Sequence, residues 1–322
     1  MASAPHDREA PPVTDQREAV TLRTLSAMAR AGEPFACLTC YDATTARWLE
    51  RAGVHVLLVG DTAAEVVLGF DSTIHMPLDV AIALTAGVKR GAPRTLVMGD
   101  MPFMSYQADE AEAVRNAGRF LTEGLADVVK LEADASFAPL VERMTRAGIP
   151  VCGHVGAKPQ QTRLTGGYRA QGRTREQAER IVADAVALEQ AGAALLLVEA
   201  IPDEVAAWVV RETSVPVIGI GAGPAPHGQI LVLQDLLGLT EWQPAFAKPV
   251  VGLGREIQRA ATLWVDRVRA REAASHRYRM APGERVPIEA PQAACASNGL
   301  SPARSSPAST SQAGAATTPE TG

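Results

Sequence analysis

Residues 56–62 read VLLVGDT, a run of branched apolar residues that stops abruptly at Gly60, Asp61 and Thr62. Later runs stop the same way: TLVMGD at Asp100, DVVKLE at Glu132, and LLLVEA, which carries Glu199. An unbroken apolar run of this length reads as a strand buried on both faces, the habit of parallel sheets. Working outward, VHVLLVG (54–60), RTLVMGD (94–100), DVVKLE (127–132) and ALLLVEA (194–200) are joined by FACLTCY (35–41), PVCGHVG (150–156) and PVIGIGAG (216–223). QILVLQDLLG (229–238) is the candidate for an eighth strand.

Amphipathic helical patterns fall between most of these runs: ATTARWLERAG, LDVAIALTAGVKRG, DEAEAVRNAGRFLTEG, FAPLVERMTRAG, TREQAERIVADAVALEQAG and DEVAAWVVRET. Gly53, Gly91, Gly124, Gly148 and Gly192 stand where helix C-caps are expected. Apolar strands alternating with such helices predict a parallel sheet covered by helices. The number of units predicts an α/β fold closed as a (β/α)8 TIM barrel. A doubly wound open sheet is the alternative. Against it, no G-x-G-x-x-G follows the first strand.

The 322 residues are 47% hydrophobic and 21% charged, with a net charge of -5. That composition supports a large globular core. It offers no basic patch for nucleic acid and nothing for an anionic membrane surface. No apolar run reaches the roughly 20 residues of a membrane helix. The N-terminal residues carry charges and prolines but no apolar signal core, which predicts a cytoplasmic protein. The expected organisation is a loose arm over 1–20, the barrel over 21–285, and a tail over 286–322. The tail is rich in Ala, Ser, Pro and Thr and is expected to be disordered.

Of the four cysteines, Cys37 and Cys40 have C-x-x-C spacing. Three residues apart on a strand, they point to opposite faces and cannot converge on one ion. They read as small buried residues in a reducing compartment.

In barrels of this class the site lies at the C-terminal ends of the strands. Asp61, Asp100, Glu132 and Glu199 all fall on that rim. Taken singly, each reads as a helix N-cap, Asp61 and Asp100 most of all. Together they repel, and require a cation or shared protons. Carboxylate oxygens with room for water suit magnesium rather than zinc. Lys130 shares a strand face with Glu132 and is either a structural partner of an acid or a substrate contact. His154 lies near the end of its own strand; alone it reads as a core histidine. The glycines of GIGAG (219–223) are either a phosphate cradle or a packing device. TGGYRAQGRT (165–174) is either a lid or an ordinary connection. A metal-binding rim with one cationic contact and a spare carboxylate suits enolate chemistry on an oxo acid.

Several segments, taken in order over about residues 35–240, resemble ketopantoate hydroxymethyltransferases. They are TCYDATTARWLERAGVHVLLVGDT, DSTIHMPLDVAIALTAGVKRGAP, GDMPFMSY, VVKLE, IPVCGHVGAKPQ, GGYRAQGRT, ALLLVEAIP and PVIGIGAG with GQILVLQDLLGL. The resemblance implies a barrel of the phosphoenolpyruvate mutase/isocitrate lyase type. It implies transfer of a hydroxymethyl group from 5,10-methylenetetrahydrofolate to 3-methyl-2-oxobutanoate, through a magnesium-stabilised enolate. The product, 2-dehydropantoate, serves pantothenate and coenzyme A synthesis. By the same resemblance Asp61 and Asp100 bind magnesium, and Glu132 completes the metal site. Lys130 contacts the oxo acid, Thr62 holds its carboxylate, His154 lies near it, and Glu199 is the acid/base. A homo-oligomer, typically a decamer, is also implied.

The chain departs from the family pattern in places. Thr62 replaces the usual Ser, Lys158 a usual Thr, and LEAD lacks the glycines that usually follow Glu132. The C-terminal family ending survives only loosely, as HRYRMAPGERV. Two other readings compete with the transferase. One is a related metal-dependent aldolase or lyase acting on another 2-oxo acid. Its relatives often use a loop cysteine, and no cysteine here is placed for that role. The other is a non-catalytic paralogue, which the intact acids and Lys130 argue against.

Overall fold

The computed structural model describes residues 18–273, 276 and 278–285. The proposed tail from 286 and most of the proposed arm lie outside the described residues. The chain runs α1 (Leu22–Ala31), β1 (Phe35–Thr39), α2 (Ala43–Arg51), β2 (Val56–Val59), α3 (Ala63–Val66), α4 (Leu78–Gly91), β3 (Leu96–Asp100) and α5 (Glu110–Thr122). It continues through β4 (Val128–Glu132), α6 (Ala138–Arg146), β5 (Val151–Gly156), α7 (Thr162–Thr165), α8 (Arg175–Gln190), β6 (Leu195–Glu199) and α9 (Asp203–Glu212). It ends with β7 (Val217–Ile220), β8 (Gly228–Leu231), α10 (Leu233–Leu236) and α11 (Leu253–Arg269). The eight strands form one closed parallel barrel in sequence order, with β8 pairing back onto β1. The open-sheet alternative is thereby excluded.

Side-chain parity explains both the core and the site. Val56, Leu58, Leu96, Met98, Val128, Cys152, Leu195, Leu197 and Ile218 fill the barrel interior. Their strand neighbours Leu57, Val59, Val97, Val129, Leu131, Leu196 and Val198 pack outward under the helices. Successive residues of a strand face opposite ways. Continuing the inward set by two residues along β3 to β6 reaches Asp100, Lys130, Glu132, His154 and Glu199. The polar rim is therefore the next inward layer of the same strands. Cys37 belongs to the inner cluster and Cys40 to the outer one, as their spacing predicts. Both are free, as is Cys152.

The opposite end of the barrel is tied by backbone-capping carboxylates. Glu50 accepts from the amides of Arg94 and Thr95. Asp127 accepts from the Val97 amide at 2.8 Å and from Lys89 Nζ at 2.6 Å. Helix α1 starts in a capping box between Thr21 and Thr24, and its Leu25 is buried in the inner cluster.

Three predicted details change. The second half of the eighth apolar run is not strand. The chain leaves β8 at Leu231, Thr39 Oγ1 takes the amide of Leu233, and α10 begins there. Gly53, Gly148 and Gly192 do take the left-handed backbone expected of caps, but Gly91 and Gly124 do not. A side chain at Gly91 would strike the backbone of Ala43, so that glycine serves helix packing between α4 and α2. Leu125, not Gly124, carries the positive φ after α5.

Among the described residues, those from Trp264 onward form a second unit. Helix α11 buries none of its residues.

Gly99 on β3 faces outward, where an added Cβ would overlap the ring of fully buried Phe120. Gly→Ala in a strand would otherwise stabilise by restricting the unfolded chain. Here overpacking wins, and Gly99→Ala should cost about 1–3 kcal/mol in denaturant unfolding. Gly99→Ala combined with Phe120→Leu should recover part of that loss. No loss in the single variant would show that the ring yields freely.

Candidate active site

At the C-terminal rim one small cavity, about 50 Å³, is lined by Asp61, Thr62, Asp100, Lys130, Glu132, His154 and Glu199, with Thr39 and Pro159. Each predicted site residue therefore lines the same cavity. Strand register does most of this: Asp100 lies beside Lys130, Glu132 beside His154, and Gly156 beside Glu199. Asp61 is the exception in origin. It lies two residues beyond β2, out of strand parity, and its own amide donates to Asp100 Oδ2 at 3.0 Å. Thr62 follows at the start of α3 and is part-buried.

Lys130 Nζ lies 2.7 Å from Asp100 Oδ1, both side chains buried. Burial alone would lower the lysine pKa. The charges of Asp100, Asp61 and Glu132 outweigh it, and Lys130 stays protonated with its pKa raised. Asp61 is pushed well above the usual carboxylate range, by burial first and then by Asp100. Lys130 and the Gln160 amide pull in the other direction. Glu132 is raised too, by burial and then by Asp61. One ammonium does not balance these acids, so the cavity favours an added proton or cation.

Glu199 behaves differently. Its side chain is 18% exposed, more open than the buried acids around it. Burial, with a smaller push from Asp100, raises it to about 7, while Lys130 pulls it down. Its Oε2 lies 3.4 Å from His154 Nε2. His154 is held well below its ordinary pKa by burial and by Lys130 and Lys158, so the imidazole is neutral. Neither ring nitrogen has a hydrogen-bond partner in the structure.

Sequence reading passed over Gln160, which ties these acids together. Its backbone amide donates to both oxygens of Glu132 at 3.1 Å. Its side-chain amide donates to Asp61 Oδ2 at 2.9 Å and to the Met101 carbonyl at 3.0 Å. Its carbonyl accepts from Tyr106 at 2.8 Å and from Gln107 at 3.1 Å. Tyr106 in turn accepts from the Glu132 amide. A glutamine in the turn after Pro159 has no periodicity to mark it, so only its neighbours in space reveal the role.

Two other motifs resolve plainly. Side chains at Gly219, Gly221 and Gly223 would overlap Pro226, Phe246 and Asp203, which makes GIGAG a packing device. Lys158 forms a 2.9 Å ion pair with Asp134 and does not enter the acid cavity.

Among the described residues no group of three or more His, Cys, Asp and Glu side chains forms a metal cage. Magnesium does not ask for one; it commonly takes one or two carboxylates and keeps several waters. Asp61 and Asp100 offer hard oxygens in a cavity with excess negative charge, and that donor set fits the ion.

The ketopantoate hydroxymethyltransferase family model matches residues 19–274. The 3-methyl-2-oxobutanoate hydroxymethyltransferase of Halorhodospira halophila is 48% identical over 252 residues, which cover 78% of this chain and 91% of that one. That of Shouchella clausii is 45% identical over 252 residues, covering 78% and 90%. That of Thermobifida fusca is 46% identical over 249 residues, covering 77% and 89%. Among solved structures, phosphoenolpyruvate phosphomutase from Streptomyces platensis matches with a TM-score of 0.55 at 12% identity, over 79% of this chain and 89% of that one. A 2,3-dimethylmalate lyase of the PEP mutase/isocitrate lyase superfamily matches with a TM-score of 0.52 at 18% identity, over 83% and 93%. The structures share the barrel fold; the sequence relatives carry the activity. With its barrel closed and its rim acids gathered in one cavity, the chain belongs to the ketopantoate hydroxymethyltransferase family, as a 3-methyl-2-oxobutanoate hydroxymethyltransferase.

Proposed function

We propose that the rim cavity transfers a hydroxymethyl group from 5,10-methylenetetrahydrofolate to C3 of 3-methyl-2-oxobutanoate, giving 2-dehydropantoate. The observation that carries this reading is the gathering of the rim acids, Lys130 and His154 in one cavity, with Glu199 the most open of its carboxylates. Asp61 and Asp100, with Glu132 beside them, would hold magnesium, whose Lewis acidity toward the acceptor's carboxylate and keto oxygens eases loss of the C3 proton. Lys130 and the Thr62 hydroxyl face the acceptor's anionic end. Glu199 takes the C3 proton, and neutral His154, 3.4 Å away, adds no charge beside it. The C3 electron pair then forms the new bond to the methylene carbon. Water supplies the hydroxyl as both bonds from that carbon to the folate nitrogens break, and tetrahydrofolate leaves with the C3 proton and the remaining proton of water on those nitrogens.

No described helix is long and apolar enough to cross a membrane. A cytoplasmic setting is supported by the free, buried Cys37, Cys40 and Cys152. A homo-oligomer is supported by the exposed apolar residues of α11, Ile257, Trp264, Val265 and Val268.

Proton loss can be read without the folate, as exchange of the C3 hydrogen for deuterium. Glu199→Gln should slow that exchange by about 100-fold or more and leave magnesium binding intact. Undiminished exchange would remove Glu199 from the base role. Chelation should abolish wild-type exchange, and added magnesium should restore it.

The pH profile has a definite sign. Glu199 accepts a proton only when ionised, so exchange should rise with pH through its pKa and decline below about 7. Lys130, Asp100, Asp61, His154 and Tyr168 are ionisable groups that face it or share its field. A bound dication lowers this pKa, which places the limb at or below that value. A flat profile across this range would contradict the assignment.

A further inference from the structure

The acid cavity, about 50 Å³, has room only for a small acceptor. A carrier built from a bicyclic pteridine, an arylamine and an anionic glutamyl tail needs a place of its own. Beside the cavity lies a second, larger cleft of about 360 Å³. Cavities that hold ligands of that size run from roughly 300 to 1,000 Å³.

The two spaces share one wall, the turn after β5. Pro159 faces the acid cavity, while Lys158 and Gln161 face the cleft. Between them Gln160 is latched to Glu132 and Asp61. The cleft is also built on the strand end that carries Glu199. Ala157 donates to the Glu199 carbonyl, and Gln171 to the Ala200 carbonyl, both at 2.9 Å. Tyr168, from the loop after α7, lines the cleft and yet responds to the rim acids. Its phenol is raised by burial and then by the charges of Glu65, Glu199, Asp61 and Glu132.

The lining is chemically mixed in a useful way. Asp134 and Asp184 supply carboxylate acceptors. Asp184 is anchored by the Ala135 amide at 2.9 Å, and Asp134 by Lys158. Tyr168 and Ile181 supply flat and apolar surface, and Arg169 and Arg180 supply positive charge. Arg180 is mostly solvent-exposed and is shared with Glu176.

We propose that this cleft is the donor subsite. It receives the reduced pteridine of the one-carbon carrier, with Asp134 and Asp184 toward its amino and ring N–H groups. Arg169 and Arg180 face the anionic tail. The wall shared at the turn after β5 brings the transferable carbon near the acceptor. The assignment rests on the folate donor proposed above.

The test is a split between the two substrates. Arg180→Glu and Ala135→Trp change exposed positions outside the acid cavity, so both variants should fold. The first reverses charge at the tail, and the second fills the mouth of the cleft. In full-length protein with magnesium, each should raise KM for methylenetetrahydrofolate by about tenfold, the size of one lost charge-assisted contact. KM for 3-methyl-2-oxobutanoate should stay within about twofold, well under one such contact. Tetrahydrofolate binding by calorimetry should weaken in parallel. Unchanged donor KM in both variants would overturn the cleft assignment while leaving the reaction intact. Equal rises in both KM values would overturn it as well, since general distortion would then explain the effect. Wild-type protein that exchanges the C3 proton but does not use the folate would sink the donor reading, and the subsite with it.

Discussion

Four carboxylates share the rim cavity because one buried ammonium sits among them. Lys130 meets Asp100 directly, and its charge reaches Asp61, Glu132 and Glu199. Without that charge the acids would repel one another and take up protons. With it, the balance still leaves excess negative charge, which is what a site for a dication requires. The same ammonium lowers the proton affinity of Glu199 and adds to burial in keeping His154 neutral. One cation thus separates the cavity into the proposed metal-facing side and the proposed base.

Geometry supports that division of labour. Asp100, Lys130, Glu132, His154 and Glu199 come from strands locked in register by the closed barrel. Their spacing cannot relax without breaking strand pairing. Asp61 comes from a loop and needs other restraints, which the Asp100 carboxylate and the Gln160 amide supply. The turn after β5 is therefore part of the acid cavity on one side and of the larger cleft on the other. Any displacement of that turn would disturb both spaces at once. The proposed transfer from a large carrier to a small acceptor would benefit from such a shared wall, because it would fix the distance between the two substrates.

Much of this was open to reading from the residues alone, and the reasons are specific. Parallel strands buried on both faces must be apolar along their length, so the acids that interrupt them stand out. Parity along a strand is local, which is why Lys130 and Glu132 could be placed on one face and Cys37 and Cys40 on two. Helix ends were less legible. A glycine after a helix serves a cap at Gly53 and close packing at Gly91, and the two look alike in sequence. The eighth apolar run looked continuous, yet its second half turns into α10 once Thr39 takes the Leu233 amide. That hydrogen bond joins residues far apart in the chain, so no local pattern announces it.

Fold class, the order of strands and the identity of the rim acids were thus written in short-range periodicity, because burial dictates residue type two positions at a time. Assembly in space settled what periodicity could not. Closure of the barrel brought β2 through β6 around one cavity. Burial and the Lys130 charge set which acid stays open and near neutrality. Gln160 acquired its place through contacts between separate loops. Those contacts depend on distances across the rim, and such distances exist only after the chain has closed on itself.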